Sequence, residues 1–182
     1  MAGNLLYVIG YPGSGKSTAI AAALSHIPVA SVEYEPFAHI RYEGGLVQLG
    51  RDRDTFSGTD ALSMNVQPKV VRWLKATPHP VVIAEGDRLG NNKFFHLVKA
   101  AGWALEIVHF NVPVQVAYDR SVRRGSNYNE SWYRGRVSKV YRLSRLWPVI
   151  TIDATQEPET LAGSLWQTKT LSRSGHPVGP PN

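Results

Sequence analysis

The strongest chemical signal is a glycine-rich run near the amino terminus. It matches the pattern G-x-x-x-x-G-K-[ST] and reads Gly10-Tyr11-Pro12-Gly13-Ser14-Gly15-Lys16-Ser17, with Thr18 directly after it. An apolar stretch precedes the run and an alanine-rich stretch follows it, which is the strand and helix context that the pattern requires. Backbone N–H groups in such a loop converge on phosphates, beside the positive end of the helix. We therefore expect the whole run to bind ATP or GTP, with Lys16 at the β- and γ-phosphates and Ser17 on Mg²⁺.

An acidic residue ends the clearest buried strand of the sequence. Residues 80 to 85 are apolar up to Glu85, and Gly86, Asp87 and Arg88 follow. Ligands bind at the carboxyl edge of open α/β sheets, so we expect these side chains to point into the site. Glu85 is a candidate for the Mg²⁺ shell or for the proton acceptor. The pattern leaves open whether Glu85 or Asp87 is the base, and a surface turn with a charge pair is the alternative.

Two further acids, Glu33 and Glu35, lie near the end of a second predicted strand over residues 29 to 34. From this position a carboxylate such as that of Glu35 can be aimed at an acceptor hydroxyl. Ordinary solvated carboxylates are an equally good interpretation of the same two residues.

A polar run over residues 50 to 60 carries several groups that could contact a substrate. The candidates are Arg51, Arg53, Ser57, Thr59 and Asp60. Binding residues are often carried on loops held by a rigid scaffold, which favours substrate contact. The alternative is a capped loop in which Thr59 or Asp60 begins the helix predicted over residues 60 to 75.

Positive charge is concentrated in one segment. The chain has a formal net charge of +6, whereas residues 120 to 145 hold eight basic side chains against the single acid Glu130, for a local net charge of +7. Two helices predicted there, ending near residues 124 and 146, resemble a lid whose arginines close over phosphates. A polyanionic partner is therefore expected, and a solvated basic face is the alternative.

Aromatic residues are interleaved with these basic residues. They are Tyr128, Trp132, Tyr133, Tyr141 and Trp147. Their placement would suit base stacking on a single strand, although packing in the core is the favoured interpretation for most of them.

The order of elements predicts the fold class. Alternating strands and helices indicate an α/β protein, a three-layer sandwich with a central parallel sheet. Two strand-like runs around Gly44 and Gly45 predict a β-hairpin, inserted between core elements. We expect a single domain over residues 1 to 167, with the lid at about 120 to 146 and a disordered tail over 168 to 182.

Composition limits the chemistry and the cellular location that we expect for the protein. The 182 residues include no cysteine, which excludes disulfide partners and thiolate chemistry. Neither a signal peptide nor an apolar span of membrane length is visible. We therefore expect a protein without membrane partners, located in the cytoplasm.

Several of these motifs together resemble one known family. The shared features are the loop from Gly10 to Thr18, the string Gly50-Arg51-x-Arg53-x-x-Phe56-Ser57-Gly58-Thr59-Asp60-x-Leu62, the turn Glu85-Gly86-Asp87-Arg88-Leu89 and the arginine-rich lid. They resemble bacteriophage P-loop kinases that act on 5-hydroxymethyluridine in DNA, and more loosely nucleoside, nucleotide and polynucleotide kinases. The likeness spans about residues 4 to 150.

The resemblance implies a reaction and a set of residues. It implies transfer of the γ-phosphate to the hydroxymethyl group of a modified pyrimidine in DNA, in the host cytoplasm, with a flipped or unpaired base in the cleft. It also implies that Arg120, Arg124 and Arg136 belong to the lid. A kinase of free nucleosides or nucleotides, and a binding module that is gated by a nucleoside triphosphate without catalysis, are the alternatives.

Overall fold

The chain forms one mixed sheet with helices on both faces. A computed structural model describes residues 3–51, 57–76, 81–127 and 129–176, and the bounds below concern this part of the chain. The strands are β1 Asn4–Ile9, β2 Val29–Glu33, β3 His39–Tyr42, β4 Leu46–Leu49, β5 Val81–Glu85, β6 Ala104–Asn111 and β7 Ile150–Asp153. The helices are α1 Lys16–Leu24, α2 Gln67–Ala76, α3 Asn92–Ala100, α4 Val114–Arg123, α5 Glu130–Leu146, α6 Pro158–Trp166 and α7 Lys169–Ser172. The predicted α/β sandwich is confirmed.

Strand β1 is the centre of the sheet, whose order is β2-β3-β4-β5-β1-β6-β7. It pairs in parallel with β5 and with β6, in a register that sets Val8 beside Glu85. Successive side chains of a strand point to opposite faces, so the fully buried Leu6 and Tyr7 enter different core layers. One layer packs against α1 and α6, and the other against α2 and α3. This register places the loop after β1 next to the carboxyl end of β5.

The predicted hairpin is present, but its prediction as an insertion is wrong. Strands β3 and β4 pair antiparallel, and β4 then pairs in parallel with β5 inside the central sheet. Strand β2 pairs antiparallel with β3 at the edge. Because β4 is buried on both faces, it behaves as a core strand, and its carboxyl end meets the same edge as that of β5.

Helix α2 begins seven residues later than predicted. A short 3₁₀ helix, Gly58–Ala61, takes the place of its predicted first turn, and α2 starts at Gln67. Pro68 gives the reason, because proline is accommodated in the first turn of a helix and disrupts its interior. Neither Thr59 nor Asp60 therefore caps this helix.

The segment predicted as a disordered tail contains a short helix. Helix α7, residues 169 to 172, is capped by the Thr168 hydroxyl, and the carboxylate of Glu106 accepts N–H groups from its first two residues. Leu171 is completely buried in the core layer of α1 and α6. The prediction of disorder is therefore wrong for residues 168 to 176, because it weighed the prolines and glycines of the segment and missed its single apolar anchor. Residues 177 to 182 lie outside the described part of the chain.

The packing of α7 can be tested by truncating its anchor. We expect Leu171→Ala to lower the free energy of unfolding by about 2–5 kcal/mol, because it removes a fully buried side chain. Leu146→Ala, at a leucine that is 60% exposed, serves as the control and should change it by less than about 0.5 kcal/mol. Denaturant unfolding measures both variants. Equal effects would show that the segment does not pack on the core.

Candidate active site

The glycine-rich loop connects β1 to α1 through two glycines with positive φ angles. Gly13 and Gly15 have φ angles of 87° and 89°, a region that glycine enters without strain. Gly15 is the N-cap of α1 and offers no side chain to the first N–H groups of the helix. Those groups and the helix dipole therefore remain available to an anion. Thr18 is exposed on the first turn of α1, and Ser14 is buried beneath the loop.

Helix α4 supports this loop from the side. A Cβ atom at Gly13 would overlap the carbonyl oxygen of Ala117 and the hydroxyl of Ser121. Gly10 is similarly close to Phe110 of β6. The two glycines are therefore positions where the backbone approaches its neighbours too closely for a side chain.

Lys16 is held inside the loop that it serves. Its ammonium group donates to the carbonyl oxygens of Gly10 at 3.0 Å and Tyr11 at 3.1 Å, and to the hydroxyl of Ser14 at 3.4 Å. Burial lowers the pKa of Lys16, and the nearby carboxylate of Glu85 opposes this shift. A cation bound only to neutral oxygens is well placed to exchange them for phosphate oxygens.

Three oxygen atoms meet beside Lys16. The hydroxyl of Ser17 donates to Oε1 of Glu85 at 2.8 Å and lies 2.6 Å from the hydroxyl of Ser57. Hydroxyl and carboxylate oxygens are the ligands that Mg²⁺ prefers, so the group fits this ion. Among the described residues no cluster of three or more acidic or histidine side chains forms a separate metal cage. The two hydroxyls and one carboxylate beside Lys16 would leave other Mg²⁺ positions to water and substrate phosphates.

Glu85 is a carboxylate in a site that disfavours charge. It is only 4% exposed at the end of β5, and burial raises its pKa. The charge of Lys16 and the hydrogen bond from Ser17 oppose that rise without cancelling it. A raised carboxylate pKa suits a proton acceptor at neutral pH.

Close backbone contacts bring Ser57 to this position. A Cβ atom at Gly58, whose φ is 58°, would overlap the carboxylate of Glu85, and one at Gly50 would overlap the carbonyl of Gly58. The segment that begins at Ser57 therefore lies flat against the ends of β4 and β5. Sequence reasoning assigned Ser57 to the substrate, whereas the structure places it at the predicted metal site.

Asp60 shapes the turn that follows β5. Its Oδ1 accepts the backbone N–H groups of Asp87 and Arg88, each at 2.8 Å. Thr59 is fully buried, and its hydroxyl lies 3.2 Å from that of Tyr7, which donates to the carbonyl of Gly86 at 2.7 Å. The structure thus gives Thr59 a packing role in place of the predicted substrate contact, and Asp60 a positioning role.

Helix α5 lies over this turn and over the phosphate loop. Arg136 and Lys139, one helical turn apart, both form ion pairs with Asp87, and the Lys139 ammonium lies 2.6 Å from Oδ1. The hydroxyl of Tyr133 donates to the carbonyl of Pro12 at 3.1 Å. Two cations therefore already bind Asp87, whereas Glu85 faces Lys16 and Ser17. Sequence reasoning missed Lys139, although its spacing of three from Arg136 placed both on one face.

The two predicted arginines of α4 have different surroundings. Arg120 donates to the carbonyl oxygens of Ala154 at 2.8 Å and Thr155 at 3.4 Å, so it holds the loop after β7. Contact of Arg120 with the nucleotide stays a prediction, and in this structure its guanidinium binds those carbonyls. The charge of Arg124, in contrast, is close enough to Lys16 to contribute to its lowered pKa.

The remaining candidates follow β2, β4 and β5 at the same edge. Arg51 follows β4 with its guanidinium 5.0 Å from the ring centroid of Tyr34, and Arg88 donates to the thioether of Met64. Glu35 is exposed shortly after β2. Arg53 and Tyr128 lie outside the described residues.

The predicted aromatic residues divide into packed and exposed members. Tyr133 is buried and Trp147 packs against Phe95 of α3, as the core interpretation expected. Trp132 and Tyr141 are 41% and 54% exposed.

The glycine-rich loop, its lysine and the buried acid at the end of the neighbouring strand define the class of a P-loop phosphotransferase. A family model described as P-loop Nucleotide Kinase3 matches residues 1–154, most of the chain. The protein therefore belongs to the P-loop Nucleotide Kinase3 family. No protein of the curated collection matches the chain.

A solved structure shares the fold. It is an unliganded sugar kinase from Janibacter sp. HTCC2649, with a TM-score of 0.56 and 13% sequence identity, over 94% of this chain and 95% of that chain. At this identity the likeness concerns the α/β fold alone. Within the described residues, no helix combines the length and the apolar character needed to cross a membrane.

The environment of Glu85 predicts an unusual titration. In the nucleotide-free protein we expect its carboxyl group to titrate above the ordinary range for glutamate, because burial outweighs the charge of Lys16. Ser57→Ala should move the midpoint further upward, since the Ser57 hydroxyl favours the charged carboxylate. Carboxyl ¹³C NMR over pH, with Glu85→Gln to assign the resonance, measures it.

The exposed serine at position 63 offers a control for that titration. Ser63→Ala should leave the Glu85 midpoint in place. A midpoint at or below that of an exposed glutamate would contradict the prediction and show that Lys16 and Ser17 dominate.

Proposed function

We propose that this kinase transfers the γ-phosphate of ATP or GTP to the hydroxymethyl group of 5-hydroxymethyluracil in DNA, with Mg²⁺. Three arginines support a polyanionic acceptor. They follow β4, follow β5 and lie on α5, and we call this part of the site the acceptor side. The buried Nε–H groups of Arg51, Arg88 and Arg136 have no hydrogen-bond partner among the described residues. An unsatisfied buried donor is costly, so each favours an incoming oxygen, and phosphate supplies it.

The donor half of the site fits a nucleoside triphosphate. The N–H groups of the loop and Lys16 would bind the β- and γ-phosphates, while Ser17, Ser57 and Glu85 would hold Mg²⁺. When bound, Mg²⁺ supplies charge neutralisation to the phosphate oxygens. Arg124 adds a positive charge near Lys16, where negative charge develops during transfer.

The transfer itself requires one proton acceptor. The hydroxymethyl oxygen bonds to the γ-phosphorus, the bond to the bridging oxygen breaks, and the nucleoside diphosphate leaves with the electron pair. The hydroxyl proton passes to a carboxylate. We assign this role to Oε2 of Glu85, leaving Oε1 beside Ser17 for the cation, because Arg136 and Lys139 already bind Asp87.

A free nucleoside or nucleotide is the second candidate for the acceptor. Three guanidinium groups can bind one phosphate monoester as well as a chain of diesters, and the family description names nucleotide kinases. The unsatisfied donors follow β4, follow β5 and lie on α5, and this spread over three elements favours a chain of phosphates over a single monoester.

Transfer of labelled phosphate decides between these acceptors. The protein is incubated with γ-labelled ATP or GTP, Mg²⁺ and either DNA containing 5-hydroxymethyluracil or the matching free nucleoside and nucleotide. We expect label in the DNA, and Lys16→Ala should lower kcat/KM by about 10²-fold or more. Lys75→Ala, at an exposed lysine of α2, is the control and should be neutral.

Other outcomes of this experiment have definite meanings. Label on the free nucleoside or nucleotide but none in DNA replaces the polymeric acceptor by the small one. Binding of the triphosphate without transfer to any acceptor contradicts catalysis and favours a gated binding module.

We further propose that the protein is encoded by a bacteriophage and acts in the cytoplasm of the host cell. The support is the resemblance of its motifs to phage kinases, together with the location of its two proposed substrates, a nucleoside triphosphate and DNA. Genes for the synthesis of hydroxymethyluracil beside its own gene would support this origin, and a cellular gene neighbourhood without them would contradict it.

A further inference from the structure

Two exposed aromatic rings at the acceptor side each lie under an arginine. Tyr34 is 59% exposed, with the guanidinium of Arg51 at 5.0 Å from its ring centroid. Trp132 is 41% exposed, with the guanidinium of Arg136 at 4.8 Å. Neither ring takes part in the phosphoryl transfer described above. We call these two pairs the aromatic platforms.

The fold brings both platforms to the turn after β5. Strands β2 and β4 run parallel to β5, so Tyr34 and Arg51 lie at the edge where Glu85 ends its strand. Strand spacing puts β2 about 14 Å from β5 across the sheet. The second platform reaches the same turn from α5, because Arg136 binds Asp87. The two platforms therefore lie on different sides of the turn after β5.

Each platform combines the two contacts that an unpaired strand offers. An aromatic face stacks a nucleobase of any sequence, and an adjacent guanidinium binds the backbone phosphate. The Nε–H groups of Arg51 and Arg136 are among the buried donors that lack partners within the described residues. In a duplex the base faces are stacked on each other and cannot reach a protein ring.

We infer that the acceptor strand binds as single-stranded DNA, with nucleobases stacked on Tyr34 and Trp132 and phosphates on Arg51 and Arg136. This inference rests on the proposed function, since it concerns the acceptor of the same site. According to this inference, nucleotides next to the reacting base bind the protein. Most of the affinity for DNA therefore does not depend on the modified base.

A third pair on α5 supplies an internal control. Tyr141 is 54% exposed, and Arg145 lies 5.5 Å from its ring centroid, with the same spacing of four residues as Trp132 and Arg136. It lies nine residues further along, which is two and a half turns and about 13.5 Å, so it faces the opposite side of the helix. Tyr141 is thus more exposed than Trp132 and paired with an arginine in the same way, but it lies away from the acceptor edge.

Fluorescence anisotropy with unmodified oligonucleotides tests the inference without any phosphoryl transfer. We expect a labelled single-stranded 12-mer to bind at least about 10-fold more tightly than the duplex of the same sequence. Trp132→Ala and Tyr34→Ala should each weaken binding by about 5- to 150-fold. Tyr141→Ala should change it by less than about 2-fold.

Two further measurements separate stacking from charge. Trp132→Phe and Tyr34→Phe should retain most of the affinity, because each keeps an aromatic face. Arg51→Gln should reduce the slope of log affinity against log salt by about one, whereas the aromatic variants should leave the slope unchanged.

The outcomes distinguish this inference from the proposed function. Tight, ring-dependent binding of the single strand without phosphorylation of hydroxymethyluracil DNA would contradict the proposed reaction and leave the inference intact. Phosphorylation of that DNA, combined with equal effects of Trp132→Ala and Tyr141→Ala, would overturn the inference. Equal binding of the duplex, or no binding of the single strand, would overturn it as well.

Discussion

The hydrogen bond from Ser17 to Glu85 is the interaction on which the rest of the site depends. It joins the first turn of α1 to the end of β5, and it forms because β1 and β5 pair in parallel with Val8 beside Glu85. A shift of one residue in this register would turn Glu85 to the other face of the sheet. Lys16, Ser57 and the turn after β5 are all placed relative to these two side chains. The register of β1 against β5 therefore determines the geometry of the site as well as the packing of the sheet.

The structure also shows how much of the basic segment is already occupied. Arg136 and Lys139 bind Asp87, Arg120 binds carbonyl oxygens, and Arg134 pairs with Glu130. A local net charge therefore overstates the charge that a partner meets. The Nη1 of Arg136 binds Asp87, while its buried Nε–H has no partner in the part of the chain that the structure describes. One guanidinium can thus both fix α5 over the turn and bind a ligand, because its donors point in several directions.

Short sequence patterns predicted those elements whose structure depends on residues close together in the chain. The glycine-rich loop and the strand that ends at Glu85 were placed correctly, because glycine, lysine and an apolar run signal them within a few residues. The position of Ser57 could not be predicted, since it depends on contacts between Gly50, Gly58 and Glu85 across two strands. The same holds for Asp60, which resembles a helix cap in sequence but accepts N–H groups from residues 87 and 88. The anchoring of α7 by Glu106 likewise joins residues 63 and 64 positions apart.

The buried position of Glu85 affects the stability of the nucleotide-free protein. A glutamate whose pKa is raised by folding binds its proton more tightly in the folded chain than in the unfolded one. Its contribution to stability is therefore complete below the ordinary pKa of glutamate and is lost as pH rises through the raised value. Burial disfavours the charged carboxylate in this pocket, and the charged carboxylate is also the form that accepts a proton or holds a cation. Burial thus destabilises the charged carboxylate in the empty site and increases its tendency to bind a proton. A bound cation stabilises the charged carboxylate again.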